Sequence, residues 1–410
     1  MVLTLTLLLA ARLLGPGDFG RFAALQAVGL LAAGVWNGGI ASLLTREIAA
    51  GRLAPADGLR RGLALRLRLT PLWLLALVAG MAVLHSHDPN APFTLLSFGA
   101  FALLAGLQDL PRAVLKGRQR FRHASAALLA GRLVTLALTL AITAAAPAAA
   151  LAFLGLALAG GALMTTCLGL WRQGIGPPSR AAGAPAPATV TLRAAAPFAA
   201  ISMMQLAYNR VDVLLVAALA TPAVLSAYAP ASRIQDALIL VPSAVGSVTL
   251  PVVSSLLARG VVDAERLHWL WLLVTVAAVG VSSLLAAAVW LAAPYAVPRL
   301  LGAVYQPSVA PVRIIAWSIP IIAFNSVLTA LLHARRQSPR VAGAIGAALV
   351  TALGLTAALV PALGASGAAL AATLREMPVA VALVVAARAG GMAVSLQSAR
   401  TAKAAAPRGG

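Results

Sequence analysis

Four arginines of this chain, Arg132, Arg210, Arg233 and Arg375, lie inside long apolar runs and not at their ends. A guanidinium at the centre of a membrane helix costs at least about 2.5 to 3.5 kcal/mol, so it faces a partner or a watery cavity. Its planar fork of N–H donors fits phosphate oxygens bidentately, which makes the matching ligand an anion, first of all a phosphate or diphosphate. The alternative is local neutralisation, with each guanidinium clipping helices together. Asp212 and Asp236 are close enough in sequence to do this, Asp236 lying one turn beyond Arg233 on the same face. Two aspartates do not neutralise four arginines. Asp212, Asp236 and Glu376 stand either as structural ion-pair partners or as groups that carry a coupling proton or hold a sodium ion. Glu376 follows Arg375 directly, and helix neighbours point to different faces, so these two need not pair.

The elements that position these groups are set by composition. Apolar residues make up 61% of the 410 residues and charged residues 10%, with a mean hydropathy of +0.94. A water-soluble chain of this length would lack the polar surface to cover itself. With about 20 apolar residues per span, the runs predict helices near 2–14, 19–44, 63–84, 92–115, 123–146, 149–171, 193–219, 222–256, 267–293, 307–332, 341–361 and 365–388. The expected fold is all-α, a polytopic bundle of about 12 transmembrane helices. The first run, about 13 residues, reaches only about 20 Å of a roughly 30 Å core. The expectation there is an upstream start or a clipped helix. Arg210 and Arg233 fall about 10 residues from the outer ends of their helices, roughly 15 Å deep. Arg375 and Arg132 reach a similar level, so the four converge at the midplane.

Cations mark one side of this bundle. Arg46, Arg52, Arg60 and Arg61 fall in the second connection; Arg112, Lys116, Arg118, Arg120 and Arg122 in the fourth; Arg172, Arg180 and Arg193 in the sixth. Later even connections hold Arg259, Arg266, Arg335, Arg336 and Arg340, and the tail adds Arg388, Arg400, Lys403 and Arg408. The odd ones carry only Arg12, Arg21 and Arg299. This pattern places both termini in the cytoplasm. A nucleic-acid binder gathers its cations on one solvated face; here the formal net charge of +21 is topology, and no nucleic-acid partner is expected.

The Pro, Gly and Ala stretch from Gln173 to Ala188 is the best linker. It divides the chain into an N-terminal lobe at 1–171, a cytoplasmic linker at 172–192, a C-terminal lobe at 193–390 and a disordered tail at 391–410. Weak repetition supports the division, with Pro16 and Phe22 lying over Pro222 and Tyr228, and Leu133-Val134-Thr135 over Leu349-Val350-Thr351. Halves with an even number of spans are parallel repeats, and transporters bind cargo between such lobes.

Other groups carry less. His85, His87 and Asp88 read as an ordinary polar turn, not a metal site. The run Lys116 to Arg122 is a topology determinant that also suits anionic lipid head groups. Cys167 is the only cysteine, so no intrachain disulfide forms. The opening residues to Ala11 lack the basic region of a cleavable signal peptide. There is no Walker A sequence, and no cofactor is expected.

Several stretches resemble polysaccharide biosynthesis proteins, the oligosaccharide flippases of the Wzx type within the multidrug/oligosaccharidyl-lipid/polysaccharide (MOP) exporter superfamily. They are ARLLGPGDFGRFAALQA (Ala11 to Ala27), NGGIASLLTREIA (Asn37 to Ala49), YNRVDVLLVAAL (Tyr208 to Leu219) and SAYAPASRIQDALILVPSAVGSVTLPVVS (Ser226 to Ser254). LLGAVYQPSVAPVRIIAWSIPIIAFNSVLTALLHA (Leu300 to Ala334) and LGASGAALAATLRE (Leu363 to Glu376) continue in the family's order. The resemblance implies two six-helix lobes around a central cavity, working by alternating access in the cell membrane. The implied cargo is a polyprenyl-diphosphate-linked oligosaccharide carried from the cytoplasmic to the outer leaflet, with polysaccharide assembly proteins as partners. Its motifs fall on Asn209, Arg210 and Asp212 in helix seven and on Arg233 in helix eight. The short first helix departs from the family's pattern. A drug or metabolite exporter of the same superfamily is the nearest alternative and would need a less cationic chamber. A membrane glycan ligase or polymerase would need a long outer loop with catalytic Arg or His; the longest here, around Ala293 to Tyr305, carries Arg299 alone.

Overall fold

The computed structural model describes residues 2–84, 91–145, 150–173, 190–246, 249, 253, 264–334 and 337–388. All regular structure among them is helical: α1 Val2–Asn37, α2 Ile40–Ala49, α3 Pro55–Leu84, α4 Ala91–Leu107, α5 Asp109–Gly117, α6 Phe121–Ala145 and α7 Ala150–Trp171. There follow α8 Leu192–Leu219, α9 Pro222–Leu238, α10 Ala264–Leu301, α11 Val309–Ala316, α12 Ser318–Ala334, α13 Ser338–Leu374 and α14 Glu376–Ala387. Eight stretches among the described residues are long and apolar enough to cross a membrane. Two of these contain a break, Val2–Asn37 at Gly15 and Arg340–Ala387 at Gly364, which falls between the helices expected at 2–14 and 19–44 and at 341–361 and 365–388. Leu75, Leu96, Leu284 and Val350 are among many large apolar side chains facing outward, the surface that lipid requires.

The breaks have local causes. Gly15 adopts φ 76° and ψ 171°, a conformation open to glycine, and Pro16 then starts the next helical segment with its φ preset. The expected helix 2–14 is the segment before this break. Gly364, at φ 57° and ψ −132°, plays the same part in α13. Pro378 ends α13 and begins α14: it has no N–H for the Leu374 carbonyl, and its ring crowds that group. Predicted spans and observed helices differ most in two places. The second span ends at Asn37, because Gly38 and Gly39 take positive φ and α2 starts anew. The third begins at Pro55, where polar residues with Asp57 in the first turn extend the helix beyond its apolar part.

Packing divides the chain into two compact units, residues 1–229 with 300–304, and residues 230–299 with 305–410. This division by contact is distinct from the repeat-based one, of whose linker at 172–192 residues 174–189 lie outside the described residues. The tail at 391–410, and His85, His87 and Asp88, lie outside them too.

In the first unit, α6 and α7 approach through small residues. A Cβ on Gly131 would lie 2.0 Å from Thr165 Oγ1, and one on Gly161 would lie 1.9 Å from Thr135 Oγ1. Thr135 and Thr165 return their hydroxyls to the carbonyls of Gly131 and Gly161 at 3.1 and 2.9 Å, so no donor is left to lipid. The short α2 buries Ile40, Leu43, Leu44 and Ile48 with Leu65, Leu110, Val114 and Ala195. At its start, a Cβ on Gly39 would meet the backbone of Phe198 and Ala199, so α2 and α8 touch backbone to backbone. In the second unit Ala278, Ala323 and Val327 form a buried cluster under Trp271 and Val274.

At the end of α2 the buried Glu47 carboxylate is gripped by Arg46 at 2.8 Å and Arg52 at 2.7 Å, and Arg46 lies 5.0 Å over the Phe198 ring. The hydrogen bond from Arg52, followed by that from Arg46, holds Glu47 below the usual carboxylate range. Its contribution is present at neutral pH and is lost as pH falls through the lowered value. Glu47→Gln is therefore expected to lower the thermal unfolding midpoint at pH 7. The gap from wild type should close as pH drops below about 4.5, read by differential scanning fluorimetry in detergent.

Candidate substrate site

In the first unit, the motif on α8 presents Asn209 exposed, Arg210 half-buried and Asp212 buried. Residues 209 and 212 are three apart and share a face, whereas Arg210 is turned aside from Asp212 by the helical step. Asp212 Oδ2 accepts a hydrogen bond from the buried Tyr228 hydroxyl at 2.5 Å. This bond joins α8 to α9. Gln205 donates to Asn209 Oδ1 at 3.5 Å along α8.

Arg132 on α6 is half-buried and makes no hydrogen bond or ion pair among the described residues. Asp109 and Arg112 of α5 lie close enough to act on its charge.

In the second unit, Arg233 on α9 is buried and pairs with Asp236 at 3.2 Å. Its side chain is 2% exposed and that of Asp236 32%, so the pair leads from the interior toward an accessible side. Two residues after Arg233, Gln235 donates to Ser318 Oγ at 2.8 Å, and Ser318 donates to the Ile315 carbonyl at 2.7 Å. Arg375 and Glu376 are both buried and pair at 3.8 Å. Adjacent helical residues need not pair, yet here the Glu376 carboxylate reaches the Arg375 Nε at the boundary between α13 and α14. Asn325 on α12 donates to the Glu376 backbone carbonyl at 3.1 Å and to its carboxylate at 3.3 Å, so α12 clamps the broken turn.

The four arginines thus divide, Arg132 and Arg210 in the first unit and Arg233 and Arg375 in the second. Arg233 and Arg375 each hold a carboxylate. Asp236 and Glu376 are those carboxylates, while Asp212 is bonded by a tyrosine. Among the described residues no group of three or more His, Cys, Asp or Glu is placed to hold a metal ion.

Sequence reasoning passed over Tyr228, Asn325 and Arg66. Tyr228 and Asn325 had a signal, being polar groups in apolar runs. Arg66 on α3 is fully buried. It donates to the Gly106 carbonyl and, at 3.0 Å, to Asn37 Oδ1, and lies 5.6 Å over the Trp36 ring. The Gly106 carbonyl belongs to the last turn of α4, where a cation complements the helix dipole.

Removing the hydroxyl in Tyr228→Phe deletes a charge-assisted bond and leaves Asp212 short of a donor. A loss of about 1.5 to 3 kcal/mol in unfolding free energy is expected, measured by denaturant titration in mixed micelles.

The family model described as "Polysaccharide biosynthesis protein" matches residues 1–257. No curated protein matches the chain significantly. Among solved structures, a multidrug resistance MATE family transporter of the MOP superfamily, inward-facing, is similar with a TM-score of 0.75 and 16% identity, covering 96% of this chain and 94% of its own. The lipid II flippase MurJ in an inward closed conformation has a TM-score of 0.69 at 14% identity, with 97% and 88% covered. A MOP superfamily transporter from Pyrococcus furiosus has 0.60 at 13%, with 96% and 95% covered. At these identities the likeness is one of fold.

Proposed function

Starting from the fact that the chain belongs to the polysaccharide biosynthesis protein family, we propose that it flips a polyprenyl-diphosphate-linked oligosaccharide from the cytoplasmic to the outer leaflet by alternating access. It does so as a multi-pass cell-membrane protein with both termini in the cytoplasm and without a cofactor or catalytic step. The alternation of basic and nearly uncharged connections supports the orientation.

The observation that carries the reading is the burial of Arg233 and Arg375 in helices that are otherwise apolar. Membrane helices retain such groups for substrate or ion work. Asp236 and Glu376 hold the two guanidiniums while no cargo is present. A diphosphate brings more negative charge and more acceptor oxygens than one carboxylate, so it displaces the carboxylate and takes the fork. Arg210, with Asn209 beside it, and Arg132 add charge and hydrogen bonds. Asp212, Asp236 and Glu376 keep the site from standing as bare positive charge between cycles. The polyprenyl tail stays in lipid, and rocking of the repeats carries the head group across.

The test is flipping of a fluorescent lipid-linked glycan in proteoliposomes. The Arg210→Ala/Arg233→Ala double variant, present at wild-type abundance, is expected to slow flipping roughly 100-fold, the loss of two charge-assisted contacts of about 1.5 kcal/mol each. Full flipping by this variant rejects the arginine site. Efflux of cationic dyes from the same vesicles, with no glycan movement, would favour the drug-exporter reading.

A further inference from the structure

A further guanidinium is anchored in the second unit, apart from every residue assigned above to cargo. Pro294 of α10 offers no N–H to the Trp290 carbonyl one turn earlier. Arg313 of α11 supplies the missing donor. Its Nε reaches that carbonyl at 2.9 Å, and its guanidinium lies 4.2 Å from the centroid of the Trp290 ring, within the range of a cation–π contact. The carbonyl takes one of the five N–H groups of the fork. Arg313 is half-buried and makes no ion pair among the described residues, so it differs from Arg233 and Arg375 in having no carboxylate against it.

Its surroundings point to what lies against it. Trp269, Leu273, Val276, Leu284, Leu291 and Tyr295 are all exposed and form one stripe along α10 at helical spacing. An apolar stripe of this length suits contact with lipid. Trp269 and Trp290 are 21 residues apart in this helix, about 32 Å at about 1.5 Å per residue, which matches a hydrocarbon core of roughly 30 Å. Tryptophans so spaced are the belts that membrane proteins set at their two interfaces. Trp290, 39% exposed, therefore marks the interface near the C-terminal end of α10, the outer one in the orientation proposed above, and Arg313 is pinned to it. At that level phosphate is the anion that the bilayer itself offers, and the planar fork matches it.

We propose that Arg313, held on Trp290, binds the phosphodiester of a phospholipid at this interface, with the acyl chains lying along the apolar stripe of α10. Trp290 and Pro294 are positioning residues. The proline leaves bare the carbonyl that fixes Nε, and the ring fixes the plane of the guanidinium, so the two Nη groups remain for the phosphate oxygens. The site stands apart from the cargo reading, because it shares no residue with it and its ligand stays in one leaflet.

The experiment uses the full chain in neutral detergent. Cys167 is the only cysteine, so a bimane label on Tyr295→Cys in the Cys167→Ala chain reports binding beside Trp290 and not at other lipid contacts. Dioleoyl phosphatidylglycerol, dioleoylglycerol and geranyl diphosphate are titrated separately. Phosphatidylglycerol is expected to bind more tightly than the diacylglycerol. Arg313→Gln should weaken phosphatidylglycerol about tenfold, the loss of about 1.4 kcal/mol, and leave the diacylglycerol unchanged. Arg313 also satisfies a helix carbonyl, so the comparison is repeated on Pro294→Ala, which restores an N–H to that carbonyl. On that background Arg313→Gln should no longer lower the thermal unfolding midpoint but should still weaken phosphatidylglycerol, which separates a lost ligand contact from a damaged helix. The proposal is overturned if Arg313→Gln binds phosphatidylglycerol as its parent does, if both lipids lose affinity equally, or if the loss disappears on Pro294→Ala. A loss confined to geranyl diphosphate overturns it too, and assigns the guanidinium to a prenyl diphosphate.

Discussion

Hydrocarbon offers no water to an unpaired polar group, so every carbonyl, hydroxyl and charge inside this bundle must be answered by another protein atom. That constraint accounts for most of its internal chemistry. Thr135 and Thr165 turn their hydroxyls back onto carbonyls one turn earlier. Arg66 answers the Gly106 carbonyl and Asn325 that of Glu376, each at a place where a helix stops short. Tyr228 answers Asp212. Where glycines replace larger residues, two backbones come close enough to pack on each other, as at Gly39 against α8 and Gly131 against α7.

The same constraint separates what the sequence made legible from what it hid. Spans were readable because a run of about 20 apolar residues has few other uses, and the Gly15-Pro16 break could be placed from residue type alone. Polar extensions were not readable as helix, so α3 began earlier than its apolar part, and nothing in the sequence singled out Arg66 within the expected span 63–84. Pairings between helices were hidden for another reason. Asp212 and Tyr228 are 16 residues apart, and only the packed helices reveal which faces meet. The Arg375–Glu376 pair joins direct neighbours in sequence, and the helical period does not say which rotamers bring such neighbours together.

Of the expected site residues, Arg233 and Arg375 of the second unit are each seen beside a carboxylate, Asp236 and Glu376. A carboxylate beside each buried guanidinium of the second unit changes the physical picture from a bare positive pocket to an exchange of anions. Removing one partner of a buried pair costs more than the pair contributes, so the carboxylates make the unloaded protein tolerable. On the proposed function the ligand outbids them, which a diphosphate is better equipped to do than a sugar or a drug cation.

This exchange is tested most directly by equilibrium binding of short-chain polyprenyl diphosphate, monophosphate and alcohol to the purified protein in nanodiscs. The account predicts affinity falling in that order, with Arg233→Lys, which keeps the charge but loses the fork, erasing most of the preference for diphosphate. Equal affinity for the alcohol and the diphosphate would contradict it.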